Sequence, residues 1–321
     1  MNAARLTAAW IAPIMLWVGQ EDAAAGSGKF DGLYFETKGR GETIVLIHGG
    51  QMDRRMWDAQ FDLFARQYRV IRYDIRGFGR SDTPDKPYSN AGDLHSLLRH
   101  LRVKKAALMG LSLGAAVATD FALEHPEMAD SLLLVCPGLG GFPFQDKAND
   151  LRAVVEAARD DSSEKAADLW LMNPYMSVAM ENPTLRNTLR DLARDNGRCW
   201  LNNPLLIRPM KPPAAERLRE IRVATLVIGG ERDVSDIHKI VEKLASEVPG
   251  ARKTIVPGAG HLVPMEEPAE FNRLALDFLA RGHRELSSPL PVDRRRVRAR
   301  IPSILLPFLE LLCSGLAHVC A

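Results

Sequence analysis

Ser112, Asp233 and His261 are the residues of this 321-residue chain whose types and settings point to nucleophilic acyl chemistry. Ser112 stands in Gly110-Leu111-Ser112-Leu113-Gly114, a G-x-S-x-G sequence between an apolar run at residues 105–109 and a helix-compatible segment at 113–124. The same five letters occur in ordinary glycine-rich turns, so the strand before and the helix after are what select the reading. On such a turn the serine stands clear of the sheet, at the positive end of the following helix. Its backbone is strained, and side chains two residues to either side would collide, which calls for glycine at both places.

A serine hydroxyl is a weak nucleophile near neutral pH and needs a histidine base oriented by a carboxylate. Of the eight histidines, His261 lies in Gly258-Ala259-Gly260-His261-Leu262, a loop after the last expected strand and before the last helix. That puts it on the carboxyl edge of the sheet, where open α/β sheets carry their sites. Gly229-Gly230-Glu231-Arg232-Asp233 follows another strand at the same edge and supplies two acids. Asp233 is the preferred orienting carboxylate and Glu231 the alternative; the structural job open to Asp233 is a helix N-cap. The oxyanion of acyl transfer needs preorganised donors. Leu113, just after the serine, offers one backbone N–H, and His48-Gly49-Gly50-Gln51 offers the second at Gly50, with His48 read as a structural residue under that loop.

The elements that must position these residues alternate along the chain. Apolar, β-branched runs at 43–47, 69–73, 105–109, 132–136, 223–228 and 253–256 predict strands, mostly buried and parallel. Helical periodicity fills 56–66, 93–101, 113–124, 237–247 and 270–279. This is an α/β pattern, a mostly parallel sheet with helices on both faces. It breaks after Cys136-Pro137-Gly138, where about seventy residues pass without a convincing strand. The break reads as an inserted helical cap, with Leu151, Val154, Val155 and Ala158 on one helix face and Leu185, Leu189 and Leu192 on another. Pro183 suits the first turn of that second helix and Gly197 its end. Trp170, Leu171, Met172, Tyr175, Met176, Met180 and Trp200 offer an apolar lining, although most of them are expected to pack the inserted helices on each other.

The set His48-Gly49-Gly50, Tyr73-Asp74-Ile75-Arg76-Gly77-Phe78-Gly79-Arg80-Ser81, Gly110 to Gly114, Gly229 to Asp233 and Gly260-His261 resembles the α/β-hydrolase superfamily over residues 32–281. The order serine, aspartate, histidine is the one that fold uses. The resemblance is to the branch of small esterases, enol-lactonases, carbon–carbon bond hydrolases and cofactor-free perhydrolases. It implies an oxyanion hole at Gly50 and Leu113, a first strand pair shortened to 29–37, and no metal or organic cofactor. Relatives with aspartate at the elbow form an ester that water opens; a serine there leaves acyl chemistry. The implied substrate is a small, fairly apolar ester or lactone. Diketone cleavage and perhydrolysis use the same residues, and a small-molecule receptor is the reading from another class.

Composition is that of a globular protein: 46% hydrophobic, 26% charged, net charge +2. No polyanion-binding surface is implied. Cys136, Cys199, Cys313 and Cys320 lack metal-ligand spacing and suggest no disulfide framework. The expected organisation is a leader-like segment at 1–25, core at 26–142, cap at 143–215, core again at 216–283, and a basic and apolar tail at 284–321. Arg5, an apolar run to Val18 and Ala23-Ala24-Ala25 have the order of a secretory signal, and a packed N-terminal helix fits as well. Export follows from the first and a cytoplasmic location from the second. Arg294, Arg295, Arg296, Arg298 and Arg300 before an apolar stretch suggest attachment to anionic lipid or a tail anchor, while Pro302, Pro307, Glu310 and His318 argue against a spanning helix, and a dispensable tail poorly packed on the domain is the preferred reading. Nothing in the sequence sets an oligomeric state.

Overall fold

The computed structural model describes residues 25–160 and 163–287. The leader-like segment through residue 24 and the arginine-rich tail lie outside them. Eight strands form one sheet: β1 (Gly26–Phe30), β2 (Leu33–Lys38), β3 (Thr43–Ile47), β4 (Arg69–Tyr73), β5 (Ala106–Leu111), β6 (Ala129–Val135), β7 (Ala224–Gly230) and β8 (Arg252–Val256). Their spatial order is β1-β2-β4-β3-β5-β6-β7-β8. The β1–β2 and β2–β4 pairs are antiparallel and all others parallel. The central strands are continuous apolar runs because both faces are covered, and every residue of β5 is buried. The first strand pair is not shortened as expected. It is a full hairpin turned by Asp31 and Gly32, both at positive φ (44° and 79°), the turn whose twist matches that of the strands.

The helices are α1 (Asp58–Phe64), α2 (Asn90–His100), α3 (Leu113–Glu124), α4 (Arg152–Arg159), α5 (Ser163–Leu171), α6 (Pro183–Asp195), α7 (Ser235–Glu247), α8 (Val263–Glu266) and α9 (Pro268–Ser287). Residues up to Leu276 form one unit; from Asp277 a second begins, whose described part continues α9. Between β6 and β7 stand α4 to α6 and several 3₁₀ turns. Val154, Ala157 and Ala158 bury one face of α4, and Leu185, Leu189 and Leu192 bury one face of α6. Asn182 caps α6, accepting from the N–H groups of Thr184 and Leu185, with Pro183 in the first turn. No helix among the described residues is long and apolar enough to cross a membrane.

Parallel pairing places the chemistry. β3 and β5 are neighbours, with Ile47 opposite Gly110, so the loop after β3 emerges beside the turn after β5. β7 and β8 pair with Gly230 opposite Val256, so the loops that follow them also leave side by side.

Candidate active site

Ser112 lies on the turn between β5 and α3 with φ 51° and ψ −111°, a left-handed backbone that costs a non-glycine residue about 1–3 kcal/mol. The surroundings over-determine it. Its N–H donates to the Val135 carbonyl (3.0 Å), and its carbonyl accepts from Ala115, Ala116 and Gly138. The flanking glycines are required by space rather than by φ. A Cβ at Gly110 would lie 2.2 Å from the Gly114 carbonyl oxygen, and one at Gly114 would lie 2.2 Å from that of Ile47. The chain must pass this closely for Ser112 to stand above the end of the sheet.

Asp233 and His261 meet across 28 positions of sequence. The Asp233 side chain is fully buried, that of His261 is 5% exposed, and Nδ1 of the imidazole is 2.8 Å from Asp233 Oδ2. Asp233 Oδ1 accepts from the Val234 N–H, so the carboxylate is held at both oxygens and α7 starts just beyond it. Glu231, the alternative acid, points away and accepts from the Gly258 N–H on the surface. Two residues to which the sequence reading gave no part in the site support the histidine loop. Glu266 accepts from the N–H groups of Gly260 (2.5 Å) and Leu262 (3.2 Å), and burial pushes its carboxyl pKa up. Cys136, just past the end of β6 and at φ 40°, lies beneath the pair with Sγ 3.6 Å from the Gly260 carbonyl oxygen.

Among the described residues, Cys136, Asp233 and His261 offer three potential ligand atoms within 4.8 Å of one another. They suit a metal poorly. Burial pushes the Cys136 thiol well above its ordinary pKa, which disfavours the thiolate a metal needs, and Asp233 is already committed to His261.

Ser112 and His261 line one cavity of about 390 Å³, together with Gly49, Gly50, Gln51 and Leu113. Leu113 opens α3, so its N–H is one of the helix's unpaired donors, and a Cβ at Gly50 would meet nothing within 4 Å, leaving its backbone open to a ligand. His48 is structural: fully buried, it accepts at Nε2 from the Ile75 N–H (2.9 Å). The Asp74–Ser81 stretch anchors the same loop. Asp74 accepts from the N–H groups of Arg54 and Arg80 and pairs with the Arg54 guanidinium. From the inserted segment, Trp170, Tyr175 and Met176 line the cavity with Leu151, Ala148 and Phe144. Of the other aromatic and methionine candidates there, Trp200 packs on Trp170 at 5.5 Å and Met172 is exposed.

The model of the alpha/beta hydrolase family matches residues 44–274, most of the chain. The chain belongs to the alpha/beta hydrolase family. This alpha/beta hydrolase is 29% identical over 266 residues to the 2-hydroxy-6-oxo-6-phenylhexa-2,4-dienoate hydrolase of Burkholderia cepacia, covering 78% of this chain and 92% of that one. Among solved structures, the thermophilic esterase of Thermogutta terrifontis superposes with a TM-score of 0.67 at 29% identity, over 78% of this chain and 94% of the other. Est816, an N-acyl homoserine lactone degrading enzyme, gives 0.62 at 26% identity, over 79% and 100%. The hydrolase thus has an α/β-hydrolase fold, as its motifs implied, and relatives that are named as an esterase, a lactone-degrading enzyme and a dienoate hydrolase.

Proposed function

We propose that the protein is a serine hydrolase that cleaves a small, fairly apolar carboxylic ester or lactone through an acyl-enzyme. The observation that carries this reading is Ser112, held on a strained elbow, facing the same cavity as a histidine whose far nitrogen is bound to a buried aspartate. With Nδ1 facing the Asp233 carboxylate, the neutral imidazole carries its proton there and leaves Nε2 as the base. Nε2 takes the Ser112 proton as Oγ attacks the acyl carbon. The backbone N–H groups of Leu113 and Gly50 receive the oxyanion. His261 then protonates the departing alkoxide, and a water activated by the same nitrogen releases the acid. Asp233 stays ionised and stabilises the imidazolium formed in each half-reaction.

The cavity lining supports an uncharged substrate. Among the described residues its polar side chains are Gln51, Ser112, Tyr175 and His261, with the indole of Trp170, and none of the described lining residues is a lysine or arginine. A dienoate of the kind named for the Burkholderia relative carries a carboxylate, which such a lining would strip of water without a fixed counter-charge. An ester or lactone makes no such demand.

The test is Ser112→Ala assayed on short-chain aryl esters and lactones beside a 2-hydroxy-6-oxo-dienoate, with fluorophosphonate labelling mapped to its peptide. The reading expects ester or lactone turnover to exceed dienoate turnover, labelling at Ser112, and a loss of about 10⁴-fold or more in kcat in the variant. Retained activity in pure Ser112→Ala overturns it, and preferred dienoate cleavage replaces it with the carbon–carbon reading on the same residues. Ligand binding without turnover on any of the three points to a receptor.

A further inference from the structure

The inserted segment reaches the acid and base loops through one short ridge. After α5, Asn173 accepts from the Tyr175 N–H and starts a 3₁₀ turn at Pro174–Met176; a second, Ala179–Glu181, follows. A repeat of three residues per turn sets positions 175, 178 and 181 on one side. Each of them meets one of the two loops. The Tyr175 ring lies 4.4 Å from the His261 ring, centroid to centroid, at 44°. Val178 packs on Gly260 so closely that a Cβ there would come within 2.7 Å of its Cγ2. Glu181 accepts from both terminal nitrogens of Arg232, at 2.9 and 2.5 Å. Arg232 precedes Asp233, Gly260 precedes His261, and the Arg232 N–H donates to the Ala259 carbonyl (2.8 Å), tying the two loops together.

We propose that Tyr175, Val178 and Glu181 are positioning residues through which the inserted segment holds Asp233 and His261 in working register; this rests on reading those two as acid and base. An imidazole fixed at Nδ1 alone can still rock about that bond. The Tyr175 ring closes one of its faces, and its π-electrons favour the imidazolium that forms as the serine attacks. Val178 occupies the space into which the backbone at Gly260 would otherwise shift. The Glu181–Arg232 pair is the weakest of the three holds, because both side chains are about half exposed and their attraction is screened.

Steady-state kcat and KM on an aryl ester, the rate of fluorophosphonate labelling and the thermal midpoint are measured for wild type, Tyr175→Ala, Tyr175→Phe, Val178→Gly, Gly260→Ala and the Val178→Gly/Gly260→Ala double variant. A misplaced base costs rate, so Tyr175→Ala is expected to lower kcat by about tenfold or more and to slow labelling in parallel, with Tyr175→Phe near wild type. Gly260→Ala, whose backbone tolerates alanine, is expected to lose activity because its new methyl strikes Cγ2 and Cβ of Val178, and Val178→Gly in the same chain, which removes both atoms, restores most of it. Two results overturn the proposal: Tyr175→Ala raising KM with kcat unchanged, or Gly260→Ala showing no loss that Val178→Gly relieves. Where Tyr175→Ala does not fold, the 178–260 pair decides. Wild type that fails to label at Ser112 overturns the acid–base reading itself, a failure distinct from labelling that proceeds equally fast in every variant.

Discussion

At Ser112 the chain is confined by main-chain atoms: the Ile47 and Gly114 carbonyls stand where side chains at Gly114 and Gly110 would go, and four backbone hydrogen bonds fix the strained residue. At Asp233 and His261 the confinement comes from side chains brought from elsewhere, namely Glu266 behind the loop, Cys136 beneath it, and Tyr175 and Val178 in front. Backbone constraint yields little, because a carbonyl cannot move without its strand. Side-chain constraint is adjustable. The turn at Ser112 should therefore break under the smallest added group, whereas the loops of Asp233 and His261 should degrade in proportion to what is removed.

The largest effect is expected where the two regions meet in chemistry. Asp233→Asn keeps the shape of the loop but offers an amide to Nδ1, and kcat should fall by about 10⁴-fold with unchanged circular dichroism; a loss under tenfold would detach Asp233 from the reaction. Next comes Gly114→Ala, which drives a methyl into the Ile47 carbonyl and should lower the unfolding free energy by about 3 kcal/mol, read from denaturant midpoints. If it costs no more than Gly260→Ala, whose neighbours are the side chains of Val178 and Glu266, the contrast between the regions fails.

Asp120 sharpens the contrast from the elbow's own helix. Burial, aided by Glu124, raises its pKa to about 7, and its Oδ1 is buried without a partner. A carboxyl whose folded pKa exceeds its unfolded one binds the extra proton in the folded state, so its contribution declines as pH rises from about 4 through 7. Asp120→Asn should therefore stabilise the protein by about 2 kcal/mol at pH 8 and much less at pH 4, in thermal melts at both. Turnover should be unchanged, since the elbow is held by backbone. Smallest is Glu266→Gln, which leaves one oxygen to serve the Gly260 and Leu262 N–H groups and should cost about 1 kcal/mol of stability. A several-fold loss of kcat should accompany it, measured on the same ester.

The elements nearest the elbow were the most legible. Thr43–Ile47, Arg69–Tyr73 and Leu113–Glu124 match the expected bounds, because β3 is almost wholly apolar, β4 buries Val70, Ile71 and Tyr73, and α3 is apolar along most of its length. The β1 strand reads Gly-Ser-Gly-Lys-Phe and is mostly exposed at the sheet edge, so it offers no apolar run. Helix α5 was missed because its buried face leans on Ala166 and Ala167, which signal little on their own, beside Trp170 and Leu171.

Five consecutive letters were enough to place a serine on a glycine-flanked turn, because Gly110 and Gly114 mark a close passage of chain, although the carbonyl that forbids a side chain at Gly114 belongs to Ile47 of β3. Motif order then nominated Asp233 over Glu231 and His261 over seven other histidines. That the aspartate and histidine touch, that Glu231 turns outward, and that Tyr175, Val178, Glu266 and Cys136 surround the pair was decided only in three dimensions. Those contacts join residues up to 124 positions apart, and no local pattern records which side chains a folded sheet edge will bring face to face.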